Sequence, residues 1–359
     1  MSMSGAMSAA ISGLKTHMQA LNVVGNNIAN VNTNGYKAQR FTFKESIYNT
    51  LSAGSEGTNT TGSTNPQQIG YGCQVGTIDL DMTTGDLVST GRDMDCTISG
   101  DGFFLVGQKG LNIDSADAVN KLTLTRVGDF EFRDGYLTDG QGNVVYGFVT
   151  SSSTTKTENG VDDAAASTTA GEVSTDLVPI RLPMKSTAQG TEGKATYVGV
   201  QNGVNVDPTT DVDGYINYTN MKIDANGKIT CTNADTKDVV VVGYLALGNV
   251  ENPNGVLHTE GPYYSAGDAA GSIAVSTPGS AVTGSLRNGK ITDANGVDPS
   301  TNLLAGNTVK LMTSFLEGSG TDLATEFTNM ILYQRGYQAN TRIVTVTDSM
   351  LEELVNMKR

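Results

Sequence analysis

The chain has 359 residues, with 37 acidic side chains against 23 basic ones and a formal net charge of −14. The first 50 residues hold four basic groups against Glu45, and the last forty or so are close to neutral, so the acidity sits in the middle. No concentrated basic face is available for nucleic acid, and no run approaches the roughly 18 consecutive apolar residues of a membrane span, so neither nucleic-acid binding nor membrane insertion is expected.

The chain opens on a helical stretch from Met1 to Arg40, in which Met7, Leu14, Leu21 and Ile28 recur every seven residues and Met3, Ile11, Met18 and Val24 fill neighbouring positions. Seven-residue spacing keeps an apolar stripe on one side of a helix, as a coiled-coil seam requires. A short amphipathic helix is marginal alone in water, so this stripe needs the other terminus or a neighbouring subunit. Met1 to Leu21 lacks a basic leader, a continuous apolar block and a small-residue cleavage site, so no cleaved signal peptide is expected. Asn26, Asn27, Asn30 and Asn32, with Gly25 and Gly35, suit a bend leaving the helix, where amide side chains satisfy main-chain groups. Lys44 to Leu51 reads as helical or extended, and Ser52 to Gln68, dominated by Gly, Ser, Thr, Asn and Pro, reads as a flexible linker.

From Gly70 the apolar residues return in short runs (Val75, Ile78, Leu80; Ile98, Phe103, Leu105), and Leu122 to Phe148 alternates between Gly-rich turns, which predicts β structure. Thr150 to Ser174 is a low-complexity surface loop. Strand-like runs resume at Leu177–Leu182, Thr196–Val200, Ile216–Ile223, Lys228–Cys231 and Val239–Leu247. The expected division is a first β-domain over 71–145 and 243–309, a second inserted over 146–242, connecting segments at 41–70 and 310–317, and a helical domain from 1–40 and 318–359. In the final helix, from Asp322 to Arg359, Leu323, Met330, Tyr337, Val344 and Leu351 repeat the seven-residue spacing, flanked by Ile343, Met350, Leu354 and Met357. The fold class is therefore mainly β with α-helical termini, the two helices pairing as a coiled-coil stalk. Gln334, Arg335 and Asn340 add polar groups of the kind that set register in such a seam.

Signals for chemistry are weak. His17 and His258 share no metal-ligand spacing, no Gly-x-Ser-x-Gly elbow occurs, and the pairs Asp79/Asp81 and Asp93/Asp95 read as solvated strand faces. Asp211-Val212-Asp213-Gly214, Asp224-Ala225-Asn226-Gly227 and Asp293-Ala294-Asn295-Gly296 resemble pieces of a calcium loop. The full ligand pattern fails at two positions of the first, and a hairpin turn with Gly at positive φ accounts for such sequences. Cys73, Cys96 and Cys231 are odd in number and form no C-x-x-C, giving neither a disulfide framework nor a zinc site. No catalytic residue, metal or cofactor is expected.

Three segments carry a resemblance. Val24-Gly25-Asn26-Asn27-Ile28-Ala29-Asn30-Val31-Asn32-Thr33-Asn34-Gly35-Tyr36-Lys37 is similar to the N-terminal signature of the flagellar rod and hook axial proteins. Glu317-Gly318-Ser319, Gln334-Arg335-Gly336-Tyr337-Gln338-Ala339-Asn340 and Asp348-Ser349-Met350-Leu351 resemble their C-terminal one. Between them lie Ser99-Gly100-Asp101-Gly102-Phe103-Phe104 and Thr125-Arg126-Val127-Gly128-Asp129-Phe130. The resemblance implies a structural subunit that forms a helical homopolymer, its terminal helices lining an inner tube through Met7, Leu14, Leu21, Ile28, Leu323, Met330, Tyr337, Val344 and Leu351. It implies export from the cytoplasm without a cleaved leader, with Phe43 and Ile47 resembling the Phe-x-x-x-apolar element read by the flagellar export gate. The implied partners are a distal rod protein, a hook cap, a hook–filament junction protein and a hook-length control protein. Some members crosslink subunits through a cysteine and a lysine, which by position puts Cys231 forward. The length of 146–242 implies a hook-type chain rather than a distal rod-type one. An extracellular β-rich adhesin is a third reading, and it leaves the matched helical ends unexplained.

Overall fold

The computed structural model describes residues 3–357 apart from 150–176, 293–308 and positions within 55–61, 110–118, 187–216, 235–238 and 281–289. The chain forms two compact units, one from 1–33, 37–83 and 319–359, the other from 34–36 and 84–318. Low-complexity Thr150 to Ser174, Asp211 and the Asp293 turn lie outside the described residues, as does much of the expected body over 146–242.

The first unit contains helix α1 (Met3–Ala29), strands β1 (Gln39–Glu45), β2 (Tyr48–Ser52), β3 (Gln67–Gly70) and β4 (Cys73–Leu80), and helix α2 (Leu323–Met357). The helices pair as the seven-residue spacing predicts, but α1 stops at Ala29 rather than near Arg40. The asparagines end it: Asn30 Nδ2 donates to Asn26 O at 3.0 Å and to Asn26 Oδ1 at 3.1 Å, capturing a carbonyl from the last helical turn. At the other end Asp322 caps α2, its carboxylate accepting from Ala324 N at 3.0 Å and Thr325 Oγ1 at 2.6 Å.

Residues 41–70 are strand at both ends, extended across most of Lys44 to Leu51, while most of the described positions in the Ser52 to Gln68 run are irregular. β1 runs antiparallel to β4 with Phe41 opposite Ile78 and Glu45 opposite Cys73, and β2 forms a hairpin with β3, Tyr48 opposite Gly70. Phe41 is the one buried side chain of β1, packed with Ala20 and Val23 of α1, Val75 of β4 and Tyr333 of α2. That contact, invisible to composition, holds a Ser/Thr-flanked segment in strand form, and it brings β4 into the helical unit rather than the β-domain expected from residue 71.

The second unit is built around the fully buried strand Phe103–Gly107. One neighbour is Val144–Val149, with Val145 opposite Val106, and another is Thr123–Thr125, with Leu124 opposite Leu105. The sheet continues antiparallel through Val239–Leu245, Lys228–Asn233 and Tyr218–Ile223 on one side, and through Tyr263–Ala266 and Val256–His258 on the other. Val144–Val149 thus joins strands from both expected β-domains in one sheet. Near-continuous apolar runs such as Phe103-Phe104-Leu105-Val106 form strands buried on both faces. The Asp224 segment is a hairpin turn, with Gly227 N donating to Asp224 O at 2.8 Å and Gly227 at φ +72°. Residues 310–317, expected as a connector, are two strands: Lys310–Thr313 pairs with Cys96–Ser99 and Phe315–Glu317 with Leu87–Ser89. The returning chain is zipped to the outgoing one.

Phe104 is fully buried and meets Phe130 edge-on at 5.0 Å between ring centroids. Phe104→Ala is expected to destabilise this unit by about 3–5 kcal/mol through transfer and cavity terms, read as a lower urea midpoint of tyrosine fluorescence.

Candidate functional site

The candidate site is the antiparallel pair of terminal helices. Its direction follows from three pairings: Gly13 of α1 lies against Asn340 of α2, His17 against Gly336, and Asn27 against Glu326. The α1 face turned to α2 is Ala10, Gly13, His17, Ala20, Val24 and Asn27, spaced 3-4-3-4-3 as a seam requires. It is made of small and polar residues instead of the leucines. A Cβ on Gly13 would stand 2.7 Å from Asn340 Nδ2, and one on Gly336 would stand 2.6 Å from His17 Cε1. The helices therefore meet where they lack side chains.

The expected apolar stripe lies beside this seam and not in it. Met7, Leu14, Leu21 and Ile28 are half-buried beside the seam, as are Met330 and Val344, whereas Leu323, Tyr337 and Leu351 are exposed. Sequence reasoning followed the large apolar residues and missed Ala10, Gly13, Ala20 and Gly336. The signal was present in the 3-4 spacing of the small residues.

At the lower end of the pair one asparagine stitches three elements. Asn27 is fully buried, donates from Nδ2 to Gln39 O at 2.8 Å and to Glu326 Oε1 at 3.0 Å, and accepts from Gln39 N at 3.0 Å through Oδ1. Its amide imitates a neighbouring strand for the start of β1 and anchors the first turns of α2. Burial pushes the Glu326 carboxyl above its ordinary range, and the bond from Asn27 opposes that. Asn26 is exposed and Asn30 half-buried, both engaged in the cap already described.

Away from the seam α2 presents Phe327, Ile331, Leu332, Ile343, Val346, Met350, Leu354 and Val355, each at least 46% exposed. Gln334 and Arg335 lie on the exposed side of α2, while Asn340 is half-buried over Gly13. The pairing register sets Met350 level with Met3, so the last turns of α2 run on beyond α1, and Leu351–Met357 is exposed throughout.

His17 belongs to an aromatic cluster with Phe43 (5.2 Å) and Tyr333 (6.2 Å), and Phe43 also meets Phe41 edge-on at 4.9 Å. Burial lowers the His17 pKa from 6.5. Phe43 is thus tied into the folded unit, and Ile47 stands 75% exposed. The cysteine proposed for a crosslink is unsuited to one: Cys231 is fully buried, its thiol hydrogen-bonded to Val240 O at 3.7 Å and pushed up to about 12 by burial.

Residues 7–37, spanning α1 and its asparagine-rich end, match the family described as flagella basal body rod protein, and residues 312–357, spanning α2 and its lead-in, match flagellar basal body rod FlgEFG protein C-terminal. The flagellar basal-body rod protein FlgG of Bacillus subtilis is 30% identical over 351 residues, covering 97% of each chain. The flagellar hook protein FlgE of Borreliella burgdorferi is 26% identical over 463 positions, covering 97% of this chain and 98% of its own. That of Salmonella typhimurium is 26% identical over 428, covering 98% and 99%. Paired helices from the two ends of a chain whose middle is β define an axial structural protein. This chain belongs to the family of flagellar rod and hook proteins, the structural components of the flagellar axis.

Gly336→Ile is expected to destabilise the helical unit by about 1–3 kcal/mol through overpacking against His17, measured as a lower thermal midpoint at 222 nm. A second expectation concerns pH. The folded His17 pKa lies below its unfolded 6.5, so the unfolded chain binds the proton first and stability is lost as pH falls from 6.5 toward the folded value. Protonation of Glu326 acts in the opposite direction, since burial favours its neutral form. His17→Phe should flatten the loss of helical-unit stability between about pH 7 and the folded pKa, and an unchanged profile would exclude His17 as its source.

Proposed function

We propose that this chain is the subunit of the flagellar hook, polymerising into a curved tube that joins rod to filament and transmits torque as a universal joint. The observation that carries the reading is the outward apolar face of α2 with its overhanging end. Large apolar side chains left in water along one helix mark an interaction surface, and copies packed by one repeated heterologous contact build a helical filament rather than a closed ring. Met7, Leu14, Leu21 and Ile28 of one copy, with Leu323, Met330, Tyr337, Val344 and Leu351 of others, would form the inner tube, and Gln334 and Arg335 would add polar register. Residues 146–242 would contribute the outer body, and two hook relatives cover at least 97% of this chain, as the rod relative also does.

The partners of this reading are the distal rod protein below, the hook cap during growth, the hook–filament junction protein above, and the export gate with the hook-length control protein. Export would precede folding and need no cleaved leader. Phe43 and Ile47 would then be read in the unfolded chain, before Phe43 enters its aromatic cluster.

A distal rod subunit is the second reading. It is favoured by the Bacillus rod protein, whose alignment of 351 positions contains none of the long additional stretches that stretch the hook alignments to 463 and 428. Electron microscopy of the purified chain under polymerising salt separates the two: curved tubes are expected for a hook subunit, straight ones for a rod subunit. Leu351→Asp should raise the critical concentration for assembly more than about tenfold and leave the β unit folded. Normal assembly of that variant would refute the role given to the overhang.

A further inference from the structure

The helical unit has a groove of about 270 Å³ where the start of α2 passes α1 and β1. Val23 and Val24 of α1, with Ala38 and Phe41, line it with buried apolar surface. Asp81, Asp322 and Glu326 line it as well, the first two exposed. The one basic side chain there, Arg40, is held by Asp79, with Nη2 3.3 Å from Oδ2. Hydrogen bonds from Thr83 keep the Asp81 carboxyl below its ordinary range, and bonds from Thr325 and Ala324 do the same for Asp322. Both are therefore ionised at neutral pH. An apolar lining beside exposed carboxylates fits a long cationic side chain, whose methylenes pack while its head stays with the acids.

The cations that need such a site are on α2. Arg335 and Arg342 are exposed, and among the described residues neither has an ion-pair or hydrogen-bond partner. Seven-residue spacing puts them on one side of the helix. Ile331 and Leu332 stand one turn before Arg335 and Val346 one turn after Arg342, all three more than half exposed. The arginines thus lie within the apolar face given above to contact between copies. Covering that face buries their guanidinium groups, and a buried charge left unpaired is strongly unfavourable. The covering surface must therefore bring carboxylates. Arg335 is roughly 20 Å along the helix axis from Asp322 of its own chain, so that pairing takes two copies.

We propose that the groove receives Arg335 of a second copy, its guanidinium against the carboxylates of Asp81 and Asp322. Cation and groove are different patches of one chain, so the contact is heterologous and repeats without closing. The proposal rests on the self-assembly read above, in either hook or rod form. In tubes assembled from an Arg335→Lys chain, a water-soluble carbodiimide should join the new amine at 335 to Asp322 or Asp81 through an amide bond, the carbodiimide taking up the water lost and leaving as a urea. Mass spectrometry of the linked peptides should find that link in tubes and not in the dilute, unassembled chain. Arg335→Glu should raise the critical concentration more than about tenfold, with helicity at 222 nm unchanged. Links to Asp348, Glu352 or Glu353 instead, tubes with no link into the groove, or a chain that never assembles would each overturn the second copy's Arg335 as its occupant. Tube form bears on hook or rod alone: straight tubes carrying the link keep the contact and remove the hook.

Discussion

The helical unit depends on the close approach of α1 and α2 at two glycines. Gly13 admits the Asn340 amide and Gly336 admits the His17 ring, so the helices pair through Ala10, Ala20 and polar groups and do not use their leucines. An apolar side chain spent inside the chain is lost to other copies. Pairing through small residues leaves the large ones on the outer sides of both helices, where a polymer can use them.

Polar groups fix what the small seam leaves loose. An interface of alanine and glycine slides easily along its length, because little shape distinguishes one register from the next. Asn27 removes that freedom: its bonds to both main-chain groups of Gln39 and to Glu326 form only at one register. The strands β1 and β4 then close over α1 through Phe41, and a stretch of unpromising composition becomes part of the folded unit.

The β unit solves a different problem. Its chain leaves and returns at one place, and the two passages pair with each other, Phe315–Glu317 beside Leu87–Ser89 and Lys310–Thr313 beside Cys96–Ser99. Arg126 is buried against Glu317 and lies over the Phe103 ring at 5.6 Å. The motif segments that carried the family resemblance meet at this point: Gly35 and Glu317 bond directly, and Arg126 joins them. Residues far apart in sequence carry the signature because they are neighbours in the fold.

Periodicity alone determined that the ends are helices, that they pair, and that β structure fills the middle, since helix and strand spacing are local properties of the chain. The resemblance placed the chain in its family for a related reason, because its motifs are runs of adjacent residues. Which face of each helix turns inward was a tertiary decision. Hydrophobic spacing names the stripe that seeks burial but not its partner, and here the inward face went to the residues small enough for two backbones to touch. The strand form of Gln39–Glu45 was decided the same way, by the burial of Phe41 among residues from α1, β4 and α2. The pairing of Arg126 with Glu317 was likewise hidden, because a buried charge is recognised only by the distant main-chain groups and side chains it meets.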